Sequence, residues 1–263
     1  MDVNTLFGVK DKVVLVTGGS RGIGLMIAEG FVANGARVYV SSRSKDVCDT
    51  VSTELTAKGP GKCFSLPADL QKMSDIEDLV SRLTELEPAG VDVLVNNAGA
   101  NWASPIDSYP VNGFNKVMNL NLTNIFFLSQ KMLPLLLKKA SHDDPSRIIN
   151  IGSVDGISVS KFETYAYGAS KAGLHHLTRG MSTHLGFRNI TANAVAPGPF
   201  MSKMMAETLA KNKDSIVSGN PMRRIGNPDD MAGVCIYLSS KAGAYTNGAV
   251  IVVDGGSSIA PKL

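Results

Sequence analysis

The chain has 263 residues, 44% of them hydrophobic and 19% charged, which excludes a largely disordered protein and allows a large core. Its net charge of +3 is small and evenly spread, so it does not favour nucleic acid as a partner. Three isolated cysteines (Cys48, Cys63 and Cys235) lack metal-binding spacing and are typical of a reduced, intracellular protein. Residues 1–12 contain no apolar signal core, and no apolar run is long enough to span a bilayer, so we expect no membrane anchor.

Short apolar strands alternate with helical segments along the chain. Strands are predicted at 13–16, 37–41, 63–66, 91–95, 147–151, 190–195 and 250–253. Helices are predicted from a glycine-rich turn to about residue 34, and then at 47–58, 74–87, 111–139, 165–185 and 228–239. Within 111–139, Pro134 predicts a kink or a break, and 197–220 is expected to be irregular. The alternation predicts one α/β domain over residues 1–263, a Rossmann-like, doubly wound parallel sheet flanked by helices on both faces.

A glycine-rich turn joins the first strand to the first long helix. Its glycines, Gly18, Gly22 and Gly24, follow neither the G-x-G-x-x-G order nor the phosphate-loop pattern with its Lys-Ser/Thr pair. Glycine lets the backbone pass close to a pyrophosphate, and the following helix offers free N–H groups and the positive end of its dipole. The turn could be only a tight connection, but its position after an apolar strand favours nucleotide binding. The candidate contacts are Gly18, Ser20, Arg21, Gly22, Ile23 and Gly24.

The end of the second strand favours NADP(H) over NAD(H). An NAD site normally offers a carboxylate there to the ribose hydroxyls, but this chain has Ser41-Ser42-Arg43-Ser44. Ser42 and Arg43 suit a 2′-phosphate, since a guanidinium binds it with paired, charged hydrogen bonds. Arg21 can add a second positive charge from the glycine-rich turn. The alternative is that Arg43 is an ordinary exposed loop residue.

The stretch from Tyr165 to Lys171 begins a predicted helix and contains the candidate acid/base. Tyr167 and Lys171 are four residues apart and share one helical face, whereas the fourth residue after Tyr165 is Ala169. A nearby ammonium stabilises a phenolate and so lowers the pKa of the phenol, at about 1.4 kcal/mol per unit. Such a tyrosine can exchange a proton with a carbonyl or alcohol oxygen. Taken alone, Tyr-x-x-x-Lys also fits a half-buried tyrosine beside a solvated lysine.

Together these motifs resemble those of the short-chain dehydrogenase/reductase family. The matching residues, from about residue 8 to 257, are Thr17-Gly18-x-x-x-Gly22-x-Gly24, Asn96-Asn97-Ala98-Gly99, Ser153, Tyr167-x-x-x-Lys171, Pro197-Gly198 and Asp254-Gly255-Gly256. The resemblance implies that Ser153 holds the substrate oxygen and that Tyr167 is the acid in reduction and the base in oxidation. Lys171 would lower the pKa of Tyr167 and bind the nicotinamide ribose. Asn121, rather than Asn119, would anchor a water molecule in the proton relay.

The resemblance also implies further cofactor contacts. Asp69 matches a residue beside the adenine ring, and Asn96 matches one that supports the fourth strand, although a strand-end cap is the simpler alternative for Asn96. The other implied contacts are Leu70, Asn97, Ala98, Gly99, Pro197 and Gly198.

Within the family, the chain looks most like the NADPH-dependent β-ketoacyl reductases of the rhamnolipid-associated type. This likeness rests on residues 16–24, 108–111, 149–154, 166–168 and 243–245. It implies reduction of a β-ketoacyl thioester, a small-molecule carbonyl substrate. Reduction or oxidation of another carbonyl or polyol stays open, as does a non-catalytic NADP-binding sensor.

Residues 199–220 are expected to cover the substrate. They supply an adaptable apolar surface through Phe200, Met201, Met204 and Met205, and Trp102 could line the same opening. An apolar cover suits an acyl chain better than a sugar. The same side chains could equally pack the cover itself or a subunit contact.

Family resemblance further implies a homodimer or homotetramer, with contacts through 111–133 and 165–185. We expect a cytoplasmic protein, although Pro261-Lys262-Leu263 resembles a peroxisomal address if the source is eukaryotic. No metal is expected, because the four histidines are not spaced with cysteines or carboxylates as in a zinc site. His175 and His176 point to different helical faces, which favours packing or surface roles.

Overall fold

The computed structural model describes residues 2–202 and 205–260. Seven parallel strands form one sheet in the order β3-β2-β1-β4-β5-β6-β7. The strands are β1 Val13–Thr17, β2 Arg37–Ser41, β3 Lys62–Ser65, β4 Val93–Asn96, β5 Ser146–Ile151, β6 Ile190–Pro197 and β7 Val250–Val253. The strand order reverses between β1 and β4, and the crevice at such a switch point is where ligands of doubly wound sheets bind.

Nine α-helices connect or follow these strands in the described residues. They are α1 Val3–Leu6, α2 Gly22–Ala33, α3 Lys45–Lys58, α4 Met73–Leu86, α5 Val111–Met118, α6 Asn124–Lys139, α7 Tyr165–Gly186, α8 Ala206–Ser218 and α9 Pro228–Ser239. A π-helical turn, Asn119–Thr123, joins α5 to α6. A short 3₁₀ turn, Val154–Gly156, follows β5.

Side chains alternate between the two faces of the sheet, and each face has its own core. In β1, Val14 and Val16 pack on one face, whereas Val13 and Leu15 pack on the other. Helices α2, α3 and α9 cover the first face, and α4, α6 and α7 cover the second. Burying one such valine or leucine is worth roughly 1.5–3 kcal/mol. Both faces are therefore closed, and the predicted Rossmann-like, doubly wound sheet is confirmed, with each strand within two residues of its predicted bounds.

Two helical predictions need correction. A kink or break was expected at Pro134, but α6 runs through Pro134 to Lys139, and the departure from α-helical geometry lies earlier, at Asn119–Thr123. The carbonyl that Pro134 leaves unbonded belongs to the exposed residue Gln130, so water can satisfy it. The segment 197–220 is not irregular throughout, because α8 occupies Ala206–Ser218, with non-helical backbone angles at Asn212.

Met204 of the expected substrate cover lies outside the described residues, as does the tail at 261–263. Among the residues that are described, no helix combines the length and the apolar character that a membrane span requires.

Candidate active site

Asn97, directly after β4, holds the glycine-rich turn in place. Its Nδ2 donates to Thr17 O at 2.9 Å and to Gly18 O at 3.2 Å. The Thr17 hydroxyl accepts from the backbone N–H groups of Asn97 and Ala98, at 3.0 and 3.1 Å. Gly18 has φ +64° and Gly22 has φ +55°, both in the left-handed region that favours glycine. The turn is therefore a close backbone cradle at the switch point between β1 and β4.

Helix α2 begins within this cradle, at Gly22. Its N-cap residue, Arg21, makes no side-chain capping bond, and the first turn contains no acidic side chain. The first N–H groups of a helix have no intrahelical acceptor, so they can donate to an anion. A Cβ at Gly24 would overlap the carbonyl oxygen of Gly18. Ser20 is buried and Ile23 half-buried beside these glycines, which completes the predicted turn.

The end of β2 lies against the same cradle. Ser41 O accepts from Gly18 N–H at 2.7 Å and from Gly19 N–H at 3.3 Å. Ser42, the next residue, is half-buried, and its hydroxyl lies 3.0 Å from Cys48 Sγ. Arg43 is exposed. Ser42 and Arg43 therefore follow a strand end whose last carbonyl is bonded to the glycine-rich turn.

The other predicted cofactor contacts lie at neighbouring strand ends. Asp69 is half-buried, and its carboxylate accepts from Gln71 N–H at 3.2 Å. Leu70 is buried and its carbonyl accepts from Asn124 Nδ2 at 2.7 Å. Three further predicted contacts remain. Gly99 lies in the loop after β4, Pro197 is the last residue of β6, and Gly198 follows it.

Asn121 lies in the π-helical turn and is fully buried, whereas Asn119 is exposed. The Asn121 side chain accepts from Ala100 N–H at 2.8 Å and donates to Ala100 O at 2.9 Å. It also donates to Ser170 Oγ at 3.1 Å, which joins the loop after β4 to α7. π-Turns leave the regular i→i−4 ladder, and they are frequent at functional sites.

The two candidate catalytic hydroxyls meet beyond the end of β5. Ser153, two residues after the strand, is buried, and its Oγ accepts from Asp155 N–H at 3.1 Å. Tyr167, in the first turn of α7, lies close enough to Ser153 for the serine side chain to act on the pKa of the phenol. Tyr165, by contrast, is 43% exposed and its hydroxyl donates to Glu163 Oε1 at 2.9 Å. The geometry therefore favours Tyr167 over Tyr165 as the group that faces a substrate.

Lys171 lies one helical turn below Tyr167 and is only 4% exposed. Its Nζ donates to Ile151 O at 2.7 Å and lies 5.6 Å from the centre of the Tyr167 ring. A Cβ at Gly99 would be 3.8 Å from the same Nζ. The Lys171 ammonium therefore lies between the Tyr167 phenol on one side and the ends of β4 and β5 on the other.

The pKa of Tyr167 does not fall as the sequence predicted. Burial raises the pKa of Tyr167 to about 12; the Ser153 hydrogen bond opposes this rise, and the Asp155 carboxylate adds to it. Lys171 directs its proton to Ile151 O, and burial lowers the pKa of Lys171 to about 8. In this arrangement the phenol keeps its proton at neutral pH, as a proton donor must.

Two polar residues near this centre escaped sequence reasoning. Asn150, in β5, is fully buried: it accepts from Asn96 Nδ2 at 2.9 Å and donates to Thr178 Oγ1 at 2.9 Å, which links β4, β5 and α7. Asp155 is half-buried, and burial raises the pKa of its carboxyl. The signal for Asn150 was an asparagine inside the apolar run of β5, and for Asp155 a carboxylate two residues after Ser153.

Only some of the apolar side chains expected in the substrate cover are exposed on the surface. Phe200 is buried and occupies the space that a side chain at Gly226 would need. Met201 is 51% exposed and Met205 half-buried. Trp102 is 37% exposed and packs against Gly113, where a Cβ would lie 2.8 Å from the indole.

Comparison with known proteins gives matches across nearly the whole chain. A sequence model described as enoyl-(acyl carrier protein) reductase matches residues 18–258. The chain is 45% identical over 253 residues to a Pseudomonas aeruginosa protein named rhamnolipids biosynthesis 3-oxoacyl-(acyl-carrier-protein) reductase, covering 95% of this chain and 97% of that one.

Solved structures match equally well. The Pseudomonas aeruginosa RhlG/NADP active-site complex has a TM-score of 0.91 and 44% identity, covering 97% of this chain and 99% of that chain. A gluconate 5-dehydrogenase from Burkholderia cenocepacia J2315, in complex with NADP and tartrate, has a TM-score of 0.90 and 26% identity, with coverage of 99% and 100%.

Proposed function

Because the chain belongs to the short-chain dehydrogenase/reductase family, we propose that it is an NADPH-dependent reductase that converts the ketone of a β-ketoacyl thioester to a secondary alcohol. The observation that carries this proposal is the proximity of Tyr167, Ser153 and the buried Lys171 beyond the end of β5. The substrate is supported by the 45% identity to a protein named as a 3-oxoacyl reductase, since 3-oxoacyl and β-ketoacyl describe the same group.

NADPH fits the residues at the carboxyl edge of the sheet. The cradle at Gly18 and Gly22 would hold the pyrophosphate, because the turn leaves no room for side chains there. Ser42 and Arg43 would bind the 2′-phosphate, and Lys171 the nicotinamide ribose. When bound, the cofactor supplies a hydride to the carbonyl carbon. The NADP complexes of two similar structures support this choice of cofactor.

The protein contributes the proton and stabilises the charge that develops on oxygen. Tyr167 keeps its proton at neutral pH, because burial holds the pKa of its phenol near 12, and so can donate it to the substrate oxygen. Ser153 already accepts from Asp155 N–H, so its own hydroxyl proton can be directed at the same oxygen. Two donors aimed at one developing oxyanion lower the barrier for hydride transfer.

Steady-state turnover with NADPH tests this function. Substrate panels should include β-ketoacyl thioesters of several chain lengths, quinones and polyols. We expect the highest kcat/KM for a β-ketoacyl thioester, with NADPH preferred over NADH. Turnover of a polyol or quinone at a higher kcat/KM would contradict the proposed substrate.

The alternatives from the sequence have less support. The gluconate 5-dehydrogenase structure shares 26% identity with the chain, against 45% for the 3-oxoacyl reductase. A non-catalytic sensor would not need a serine, a tyrosine and a lysine brought together at one strand end. Tight NADPH binding without turnover on any carbonyl would nevertheless favour the sensor.

We also propose that residues 1–263 form one domain in which 199–220 cover the substrate. Phe200 anchors the start of this segment in the core, while Met201 leaves half of its surface for a ligand. Met201→Ser should therefore raise the KM for long acyl chains more than for short ones. Equal changes in KM for all chain lengths would contradict a covering role.

We propose self-association as a homodimer or homotetramer through α5, α6 and the start of α7. These helices expose apolar side chains at Val111 (75%), Phe114 (39%), Phe126 (39%) and Tyr165 (43%). Sedimentation velocity at micromolar concentration should show a dimer or tetramer, and Phe114→Glu should weaken it. A monomer would contradict this assembly.

A cytoplasmic location stays a prediction. A fluorescent fusion that leaves residues 261–263 free should stay diffuse in a eukaryotic cell. Puncta that disappear when residues 262–263 are deleted would instead favour peroxisomal import.

A further inference from the structure

The helix that carries the phenol also carries a buried histidine on the same face. Tyr167, Lys171 and His175 follow one another at four-residue steps in α7, so their side chains form one row. His175 is only 4% exposed. The next residue, His176, is exposed and does not belong to this row.

The imidazole of His175 fills a space between α7 and the loop that carries Ser153. A Cβ at Gly152 would overlap Nε2 of His175, and a Cβ at Gly156 would lie 2.9 Å from Cε1. Neither glycine has a positive φ, so the backbone there does not itself require glycine. Gly152 therefore leaves the space that the imidazole occupies, whereas Gly156 leaves space for both the imidazole and the backbone of α7 at Lys171 and Ala172.

The polar atoms of the ring fix its orientation. The backbone of Gly156 acts on the pKa of His175 as a hydrogen-bond acceptor does, because it opposes the fall in that pKa. Nε2 has no hydrogen-bond partner in the described part of the chain, so Nδ1 is the nitrogen that can donate to this acceptor. Burial, with Lys171 and Arg179 nearby, lowers the pKa of His175 to about 4, so the ring is neutral at working pH.

We propose that His175 is a positioning residue, which holds the loop of Ser153 at a fixed distance from the helix of Tyr167. The two hydroxyls lie on different elements, and reaction requires both to reach one substrate oxygen. The ring lies against Gly152 on one side of Ser153 and against Gly156 on the other side. It does not exchange a proton with the substrate. The kinetic part of this inference rests on the proposed reductase function.

Three substitutions separate donation by Nδ1 to the Gly156 backbone from packing of the ring. His175→Asn keeps a donor near the position of Nδ1, His175→Leu keeps an apolar bulk without a donor, and His175→Ala removes both. We expect the Leu and Ala variants to lose ~10-fold in kcat, equivalent to about 1.4 kcal/mol, while the NADPH Kd stays within ~2-fold. The Asn variant should recover to within ~3-fold. Wild-type kcat in the Leu variant, or NADPH binding lost in parallel with kcat, would overturn the proposal.

A double-mutant cycle tests the contact between the ring and Gly152 itself. Gly152→Ala should lower kcat ~10-fold when His175 is present, because its Cβ overlaps the ring. In the His175→Ala background the same change should cost less than ~3-fold. Gly180→Ala, where a Cβ would meet nothing within 4 Å, is the matched control in α7. Equal losses in both backgrounds would overturn the proposal.

Crystal structures of the wild type and of His175→Leu provide a measurement that needs no turnover. Ser153 Oγ should lie farther from the Tyr167 hydroxyl in the variant. If the wild type reduces no carbonyl, the proposed function fails while this displacement still tests the positioning role. An unmoved Ser153 loop would contradict that role even in an active enzyme.

Discussion

The two halves of the site satisfy their polar groups in different ways. On the cofactor side, the Asn97 side chain donates to the backbone carbonyls of Thr17 and Gly18. The Thr17 hydroxyl accepts from backbone N–H groups after β4, and Ser41 O accepts from two N–H groups of the glycine-rich turn. On the chemical side, a half-buried phenol, a buried ammonium and a buried imidazole form one row of α7, with all three pKa values displaced by burial. The cofactor half is therefore organised to hold the backbone in one shape. The chemical half contains the groups with shifted pKa values, which are typical of catalytic sites.

The largest expected effect lies in the chemical half. Tyr167→Phe should lower kcat at least ~10²-fold, because the general acid is lost, while NADPH still binds. Tyr165→Phe is the matched control and should keep most activity, since its hydroxyl faces Glu163. Steady-state kinetics and NADPH fluorescence titration measure both. A larger loss of kcat in Tyr165→Phe than in Tyr167→Phe would identify Tyr165 as the proton donor and contradict this description of the chemical half.

The shape of the cofactor half gives the next largest effect. Gly24→Ala should weaken NADPH binding ~10-fold or more, because a Cβ there overlaps Gly18 O and would open the cradle. Gly233→Ala, in α9, meets nothing within 4 Å and should leave the Kd unchanged. Calorimetric titration distinguishes the two variants. Unchanged NADPH binding in Gly24→Ala would show that the turn is not a pyrophosphate cradle.

The preference for NADPH over NADH provides a second test of the cofactor half. Arg43→Ala should raise the KM for NADPH ~10-fold and leave that for NADH nearly constant, since a charged hydrogen bond contributes about 1.5–3 kcal/mol. Lys45→Ala removes a nearby exposed charge that is paired with Asp49 and serves as the control. A wild-type enzyme that prefers NADH would contradict the interpretation of the second strand.

The smallest effect concerns acidity in the chemical half. The Asp155 carboxylate raises the pKa of Tyr167, because it disfavours the phenolate. Asp155→Asn removes that charge and so lowers the pKa of Tyr167. Oxidation of a secondary alcohol, which needs the phenolate, should then reach half of its maximal rate at a lower pH. A pH profile that moves to higher pH, or does not move, would contradict an effect of Asp155 on the pKa of Tyr167.

Sequence predicted the sheet better than it predicted the polar interior. Strands are continuous apolar runs, so β1 and β2 could be placed to within a residue. The spacing of Tyr167 and Lys171 indicated a shared helical face, but not that Lys171 would donate to Ile151 O, because that contact joins residues 20 apart. Helix α8 was not predicted because its sequence has few large apolar residues and no regular apolar period. His175 could be called a packing residue, but its contact with the Ser153 loop depends on the tertiary fold.

The neutral burial of His175 ties the acid tolerance of the whole fold to one imidazole. Its pKa is about 4 when folded, against an ordinary value of 6.5 when unfolded. The unfolded chain therefore takes up the proton first, so the stability from this group is complete above about pH 6.5 and is lost as pH falls toward 4. Urea titrations across that window should show a steeper decline for the wild type than for His175→Asn. A protein that keeps this ring uncharged is suited to near-neutral surroundings and vulnerable in acidic ones.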